Sequence, residues 1–181
     1  MKYCSSCGHP VEERIPVGDN RPRFVCPNCD TIHYQNPRIV AGTVPVWERQ
    51  ILLCRRAIEP RYGYWTLPAG FMENTETTDE AAARETLEEA LADVTIGHLY
   101  TVIHVPHIDQ VHMFYLAEMK DSNFGAGDES LETQLFELDK IPWDEISFPT
   151  VKRTLEHFIE DMERDHFPLH VSNIRHPLGR G

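Results

Sequence analysis

No apolar run in this chain approaches the roughly 20 residues that a helix needs to cross a bilayer, so no membrane role is expected. Nor does the opening "MKYCSSCGHP" contain the apolar h-region of a secretory signal, and a cytoplasmic location is the expectation. Basic residues are scarce: 17 Lys and Arg stand against 29 Asp and Glu, a formal net charge of −12. No Lys/Arg block concentrates them. A surface that negative repels nucleic-acid backbones, so no nucleic-acid partner is expected. An anionic ligand would need divalent cations to offset the repulsion. Internal repeats and low-complexity tracts are missing as well.

What remains is an ordinary globular balance, 41% hydrophobic and 25% charged in 181 residues, enough for one domain with a small appendage. Cysteine is sparse, yet four of the five stand in two pairs. Cys4 and Cys7 make one CxxC, Cys26 and Cys29 the other, with 18 residues between Cys7 and Cys26. That spacing matches a four-cysteine zinc ribbon. Four thiolates close a tetrahedral shell, the structural rather than the catalytic arrangement of Zn²⁺. A redox CxxC would stand once, beside a βαβ pattern. So short a segment has little core, and metal binding supplies much of its folding free energy. Cys54, inside the apolar "ILLCRRA", reads as a core residue.

After the connector "IHYQNPR" (32–38), strands are expected at 39–47 and 50–58, then at about 93–104, 110–119 and 132–138. The stretch "EPRYGYWTLPAGFMEN" reads as a long loop. A helix is expected over 78–91, capped by Thr77 or Thr78, with Ala82, Leu87 and Leu91 in its buried stripe. A second, amphipathic helix is expected over 150–165, burying Val151, Leu155, Phe158, Ile159 and Met162. The loop "FGAGDES" (124–130) should be exposed, and "NIRHPLGRG" loose. Strands mixed with two helices suggest an α+β or α/β sandwich with a mixed sheet. Domain boundaries are set at 1–34 for the ribbon, 35–166 for the main domain and 167–181 for a C-terminal tail.

Chemistry concentrates in "RETLEEA" (84–90), where Glu85, Glu88 and Glu89 fall at i, i+3 and i+4. Those positions are neighbours on a helix, and like charges there repel unless a cation sits among them. Hard cations such as Mg²⁺ or Mn²⁺ prefer such oxygen ligands. Five residues separate Gly70 from Glu76, and seven separate Glu76 from Arg84.

That series, Gly70, Glu76, Arg84, Glu85, Glu88 and Glu89, resembles the Nudix box, G-x5-E-x7-R-E-U-x-E-E-x-G-U. Thr86 stands at a usually aliphatic site, and Leu91 replaces the glycine that ends the helix. The resemblance implies an α/β/α sandwich and hydrolysis of a diphosphate by metal-activated water. Gly70, Glu76, Arg84, Glu88 and Glu89 are then the catalytic set, and Glu85, Glu88 and Glu89 hold Mg²⁺ or Mn²⁺. Arg84 is expected to pair with Glu76 or Glu85. The general base is left open between Glu88, Glu89 and a water held by the cation. The stretch "ESLETQLFELDKIPW" resembles the late strand that supplies one more acid, Glu132 ahead of Glu129 and Glu137.

The ribbon, the "YQNPR" connector and the box together resemble the NADH pyrophosphatase branch. Its downstream "SQPWPFPQS" signature is absent; the slot reads "VIHVPHIDQVHMF" (102–114). The pattern is closer to ribbon-bearing bacterial relatives of a plant enzyme that cleaves FAD and ADP-ribose. The expected ligand is therefore a nucleoside-diphosphate-linked small molecule, ADP-ribose or FAD ahead of NADH and diadenosine polyphosphates, and the expected assembly a homodimer. The alternative is a catalytically weak nucleotide sensor whose ribbon docks a partner.

Expected substrate contacts are Arg56, Tyr64, Trp65, Gln110, His112 and Phe114. Arg38, Arg55 and Arg61 are further cations near the site in sequence, and Tyr62 a further aromatic. His104, His107 and His112 lack the HxH or HExxH spacing of a second metal site.

Overall fold

Each cysteine pair closes one tight turn. The Gly8 N–H donates to the Cys4 carbonyl at 2.9 Å and the Asp30 N–H to the Cys26 carbonyl at 3.0 Å. Both turn-closing residues have left-handed backbone, φ 72° at Gly8 and 55° at Asp30. Glycine enters that region freely, and Asp tolerates it better than most residues. The computed structural model describes residues 1–175, in two compact units divided after Pro37. The first unit adds a three-stranded antiparallel sheet, β1 (Glu12–Arg14), β2 (Arg23–Val25) and β3 (Ile32–His33), to the two turns. Its buried apolar content is Val25 and Pro16 with Cys4 and Cys26, too little to hold a fold by itself.

The second unit is built on a mixed sheet. Its strands are β4 (Arg38–Trp47), β5 (Gln50–Arg56), β6 (Trp65–Thr66), β7 (Ala69–Phe71), β8 (Val94–Val105), β9 (Gln110–Met119), β10 (Ser130–Phe136) and β11 (His170–Asn173). The order is β10-β5-β4-β9-β8-β11, with β6 beside β5 and β7 beside β4. The β4–β9 and β8–β11 pairs are parallel and the others antiparallel.

Two helices, α1 (Thr78–Ala90) and α2 (Pro149–Arg164), cover this sheet. Strand parity shows that they lie on opposite faces. Gly42 stands beside Phe114 and Phe114 beside Thr101, whereas Thr43 stands beside Tyr115. Neighbours along a strand face opposite ways. Thr43 and Tyr115 meet α1 through Thr86 (2.7 Å) and Thr78 (2.5 Å), and Thr101 meets α2 through Thr154 (3.0 Å). The sandwich with a mixed sheet expected from sequence is what the chain forms.

Helix α1 starts on a capping box: Thr77 accepts from the Glu80 N–H while the Glu80 carboxylate accepts from the Thr77 N–H. Its buried face is made of small residues, Ala81, Ala82, Thr86 and Ala90, which let the backbone sit close to β4. Leu87 and Leu91, expected in that stripe, are both 54% exposed. Because Ala81 and Ala82 define the inward face, Leu87 falls away from it. Helix α2 buries Val151, Leu155 and Phe158, with Ile159 and Met162 packed alongside. Each such large side chain contributes about 2–3 kcal/mol on removal from water.

Two expectations about irregular segments change. The stretch read as one long loop contains β6 and β7, and its Trp65 is buried edge-on against Phe136 at 4.9 Å. The segment read as a tail from 167 carries β11. Tyr100 donates to Asp161 Oδ2 (2.7 Å), and His170 Nε2 lies 2.7 Å from the same oxygen, fixing β11 to β8 and α2. Residues 176–181 of that tail lie outside the described residues. Among the described residues, no helix is long and apolar enough to cross a membrane.

One irregularity prepares the site. β4 and β5 pair only at Val46–Ile51 and Trp47–Gln50 and then diverge. The wedge between them receives β6 and β7. At Gly42 a Cβ would collide with Ala69 and the Pro68 carbonyl, so glycine is what lets β7 approach β4 so closely.

Candidate active site

β7 and α1 bring the spaced acids together. At Gly70 any Cβ would overlap the Glu85 carboxyl, so the missing side chain makes room for that carboxylate. Arg84 then binds the set through all five of its N–H donors. Nε and Nη2 grip the two oxygens of Glu76 at 3.0 and 2.8 Å. Nη1 reaches Glu85 at 2.7 Å and Glu88 at 3.1 Å, and Nη2 also donates to the Phe71 carbonyl at 3.2 Å. A guanidinium so saturated has no donor left for a phosphate. Its work is to fix the carboxylate rotamers, and it reaches Glu88 as well as the expected Glu76 and Glu85.

The charges respond to these contacts. Hydrogen bonds from Arg84 and from the Glu73 N–H hold the Glu76 carboxyl down at about 2. Burial raises Glu85 above the usual carboxylate range, against the pull of Arg84. Glu89 is only 8% exposed and accepts the Ala69 N–H at 3.1 Å; burial pushes it up to about 8. Such a cluster of desolvated acids favours a divalent cation.

Two departures from the box acquire physical accounts. Thr86 is fully buried but its hydroxyl is satisfied, donating to the Ala82 carbonyl (2.7 Å) and bonding Thr43 Oγ1 (2.7 Å). Leu91 takes the left-handed conformation that glycine would, φ 47° and ψ 28°, and its N–H still closes on the Leu87 carbonyl.

The loop 124–130 completes the acid set. The Gly125 N–H donates to the Ala90 carbonyl at 2.8 Å and the Gly127 N–H to the Glu89 carbonyl at 3.1 Å, capping carbonyls that the end of α1 leaves open. A Cβ at Gly127 would collide with the Glu88 carbonyl. Glycine thereby sets Asp128 and Glu129 on a cavity of about 930 Å³, shared with Glu85, Glu88 and Glu89.

Glu132, the leading candidate for the extra acid, is not among the cavity's lining residues. It faces Arg55 in register and pairs with its Nη1 at 3.2 Å. A bulge between Ser130 and Glu132 shifts the facing of this strand and turns Glu132 to Arg55, while Asp128 and Glu129 of the preceding loop line the cavity. Asp128 was missed by sequence reasoning. The signal was its place in a glycine-flanked turn beside an acid, which reads equally well as surface.

Of the expected substrate contacts, Arg56, Gln110, His112 and Phe114 line the cavity, and Tyr64 and Trp65 do not. Trp65 is in the core, and Tyr64 lies under Arg61, 5.2 Å from guanidinium carbon to ring. Arg56 donates its Nε to the Pro60 carbonyl and stands 5.1 Å from the Phe148 ring. Arg55 spends its Nε on the Gly63 carbonyl, and Arg38 stacks on Phe71 at 4.5 Å. His112 is held between Gln110 and Thr150, while His107 bonds the Ile174 carbonyl, so these histidines do not converge on a common point.

The donor chemistry separates two kinds of ion. Among the described residues, the sulfurs of Cys4, Cys7, Cys26 and Cys29 lie within 4.8 Å of one another, with Cys4–Cys29 at 3.7 Å and Cys7–Cys26 at 3.5 Å. Sulfurs at the corners of a tetrahedron of Zn–S bonds near 2.3 Å would stand roughly 3.8 Å apart. The first unit therefore fits Zn²⁺. His33 Nε2 adds a contact to Cys4 Sγ at 3.3 Å. The carboxylate oxygens of the cavity are hard donors, the type that Mg²⁺ or Mn²⁺ prefers, but among the described residues only the cysteines are gathered closely enough to close on an ion.

Residues 2–35 match the family model described as Nudix N-terminal, and residues 36–159 match the NUDIX domain model. The chain is 30% identical over 168 residues to an NAD-capped RNA hydrolase, NudC, of Edwardsiella ictaluri. That match takes in 88% of this chain and 59% of the relative, so the chain spans about three-fifths of that relative's length. It is 28% identical over 113 residues to an ADP-ribose pyrophosphatase of Methanocaldococcus jannaschii, covering 60% of this chain and 67% of the relative. A crystal structure of a NUDIX hydrolase from Nitrosomonas europaea superposes with a TM-score of 0.95 at 50% identity, covering 97% of this chain and all of that one.

Proposed function

The chain belongs to the Nudix hydrolase family, and from that premise we propose that it hydrolyses the diphosphate linkage of a nucleoside diphosphate joined to another moiety, ADP-ribose or FAD first among them. The observation that carries this reading is the convergence of Glu85, Glu88 and Glu89 from α1 with Glu129 from the loop before β10, on one cavity. A pure nucleotide sensor would not need so many acids facing an anionic ligand.

Mg²⁺ or Mn²⁺ held by these four carboxylates would neutralise the diphosphate, polarise its phosphorus and make water a better nucleophile. The chain's own residues do the rest. Arg84 keeps Glu76, Glu85 and Glu88 in fixed rotamers, and the Ala69 N–H orients Glu89. Either Glu88 or Glu89 takes the proton from the attacking water. Arg56, which lines the cavity and is not bound to the acids as Arg84 is, meets the phosphate charge. The four cysteines hold Zn²⁺ in a structural role.

The M. jannaschii relative supports ADP-ribose as the leading substrate, and the E. ictaluri relative favours a second reading, an NAD-linked diphosphate. The missing "SQPWPFPQS" signature places that reading second. A homodimer belongs to the same proposal and is checked by sedimentation velocity.

The deciding experiment incubates the protein with FAD, ADP-ribose, NADH and diadenosine polyphosphates, each with Mg²⁺ or Mn²⁺, and resolves products by chromatography. AMP plus FMN, or AMP plus ribose 5-phosphate, is expected. The Glu89→Gln variant should lose about 10²–10⁴-fold of that rate. Unchanged turnover of every diphosphate by Glu89→Gln would sink the catalytic reading in favour of a sensor.

A further inference from the structure

Across the sheet from the acids, three side chains form a hydrogen-bond chain that the reaction above leaves unused. His112 of β9 stands beside Val40 of β4, and Val40 beside Phe71 of β7. His112 is thus two strand spacings, roughly 10 Å, from the strand that carries Gly70. Thr150 Oγ1, near the start of α2, lies 3.0 Å from His112 Nδ1, and His112 Nε2 lies 2.9 Å from Gln110 Oε1. All three residues line the cavity.

The direction of these bonds follows from their chemistry. The Gln110 amide oxygen only accepts, so His112 carries its proton on Nε2, and Nδ1 accepts from the Thr150 hydroxyl. Burial keeps the imidazole neutral, holding it at about 4. With one lone pair of its oxygen engaged by His112, Gln110 lines the cavity with two amide N–H donors against one remaining lone pair. The neighbouring wall is apolar: Val40, Ile108, Phe114 and Val151.

A polyhydroxylated group would need donors and acceptors together, and a phosphate would be better served by a cation. A flat, uncharged ring with an acceptor edge satisfies both the apolar wall and the lone donor pair. We propose that Gln110 selects the heteroaromatic base of the substrate by donating to a ring nitrogen or carbonyl oxygen, and that His112 and Thr150 are positioning residues that fix its amide. This rests on the diphosphate-hydrolase reading only for what occupies the rest of the cavity.

The test compares AMP with ribose 5-phosphate, which lacks the base, by calorimetric titration of the full chain with Mg²⁺. Gln110→Glu keeps the shape and replaces the donor by an acceptor. AMP should lose about tenfold more affinity than ribose 5-phosphate, which meets only the added negative charge. Thr150→Val keeps the branched shape, removes the hydroxyl and should weaken AMP several-fold. In long-range ¹H–¹⁵N spectra the parent's His112 proton should sit on Nε2, and Thr150→Val should shift it toward Nδ1. On ADP-ribose, KM should rise in Gln110→Glu while kcat stays within about twofold.

Three results would each overturn the inference: AMP binding the parent no more tightly than ribose 5-phosphate, equal affinity of parent and Gln110→Glu for AMP, or a parent His112 protonated on Nδ1. AMP discrimination in a chain that cleaves no diphosphate would overturn the hydrolase reading and leave this one standing. Turnover of ADP-ribose indifferent to Gln110 would do the reverse.

Discussion

In the ribbon four sulfurs lie within 4.8 Å of one another, above almost no apolar core. In the larger unit the acids stand on a helix whose inner face is locked to a sheet, and an arginine cross-links them. The first arrangement draws its order from the ion that it fits. The second is ordered by the core and by Arg84 without an ion, so a cation held there, as proposed, would not be needed for the fold. The two candidate cation sites thus differ in what offsets the entropy of gathering the ligands.

Removing zinc should separate the two units most sharply. Chelation, or Cys26→Ser, should cost the ribbon on the order of 10 kcal/mol and collapse the amide signals of residues 1–37. Near-UV circular dichroism from the core around Trp65 and Tyr100 should persist. Simultaneous loss of both signals would break the comparison.

A smaller effect is expected at the arginine. Arg84→Gln strands three carboxylates and should cost about 2–3 kcal/mol in urea unfolding. Added Mg²⁺ should restore part of that stability, and the ribbon should not respond to Mg²⁺. If Mg²⁺ restores nothing, the acids do not share one cation.

Acid should act next, through the half-buried His112. The unfolded imidazole has a pKa near 6.5, whereas burial holds the folded one at about 4. Above pH 6.5 the ring is neutral in both states. As pH falls from 6.5 to about 4 the unfolded chain takes up a proton that the folded chain refuses. Stability should therefore decline by about 1–2 kcal/mol over that window, allowing for partial solvent contact, and level off below it. His112→Asn should flatten this slope in urea titrations at stepped pH.

The smallest change concerns the helix exit. Leu91→Gly relieves a left-handed residue and should stabilise the larger unit by about 0.5–1 kcal/mol, measured by thermal unfolding. A loss of stability would mean that the exposed Leu91 side chain supports the loop at Gly125, which it approaches.

These differences also explain what could be read from the sequence. The box was legible because its register is covalent: a helix turns spacing directly into adjacency, so Gly70, Glu76, Arg84, Glu85, Glu88 and Glu89 arrive together. The long strands announced themselves by apolar runs, and the cysteine turns by their spacing. Strands of two to four residues, β6, β7 and β11, have too few positions to show a period. Glu132 is turned to Arg55 by one bulge in its strand, and no composition signals a bulge. Trp65 and Tyr64 sit together in sequence, but pleating sends one of them into the core.

The divergence of β4 from β5 has a consequence for how this molecule can change. The acids enter the cavity from a helix on one face, while Gln110, His112 and Thr150 belong to the strand and helix that build its far wall. On the proposed reading, mutations in that wall change which ligand is held without disturbing the acids. A lineage can therefore diversify its diet while inheriting its chemistry intact.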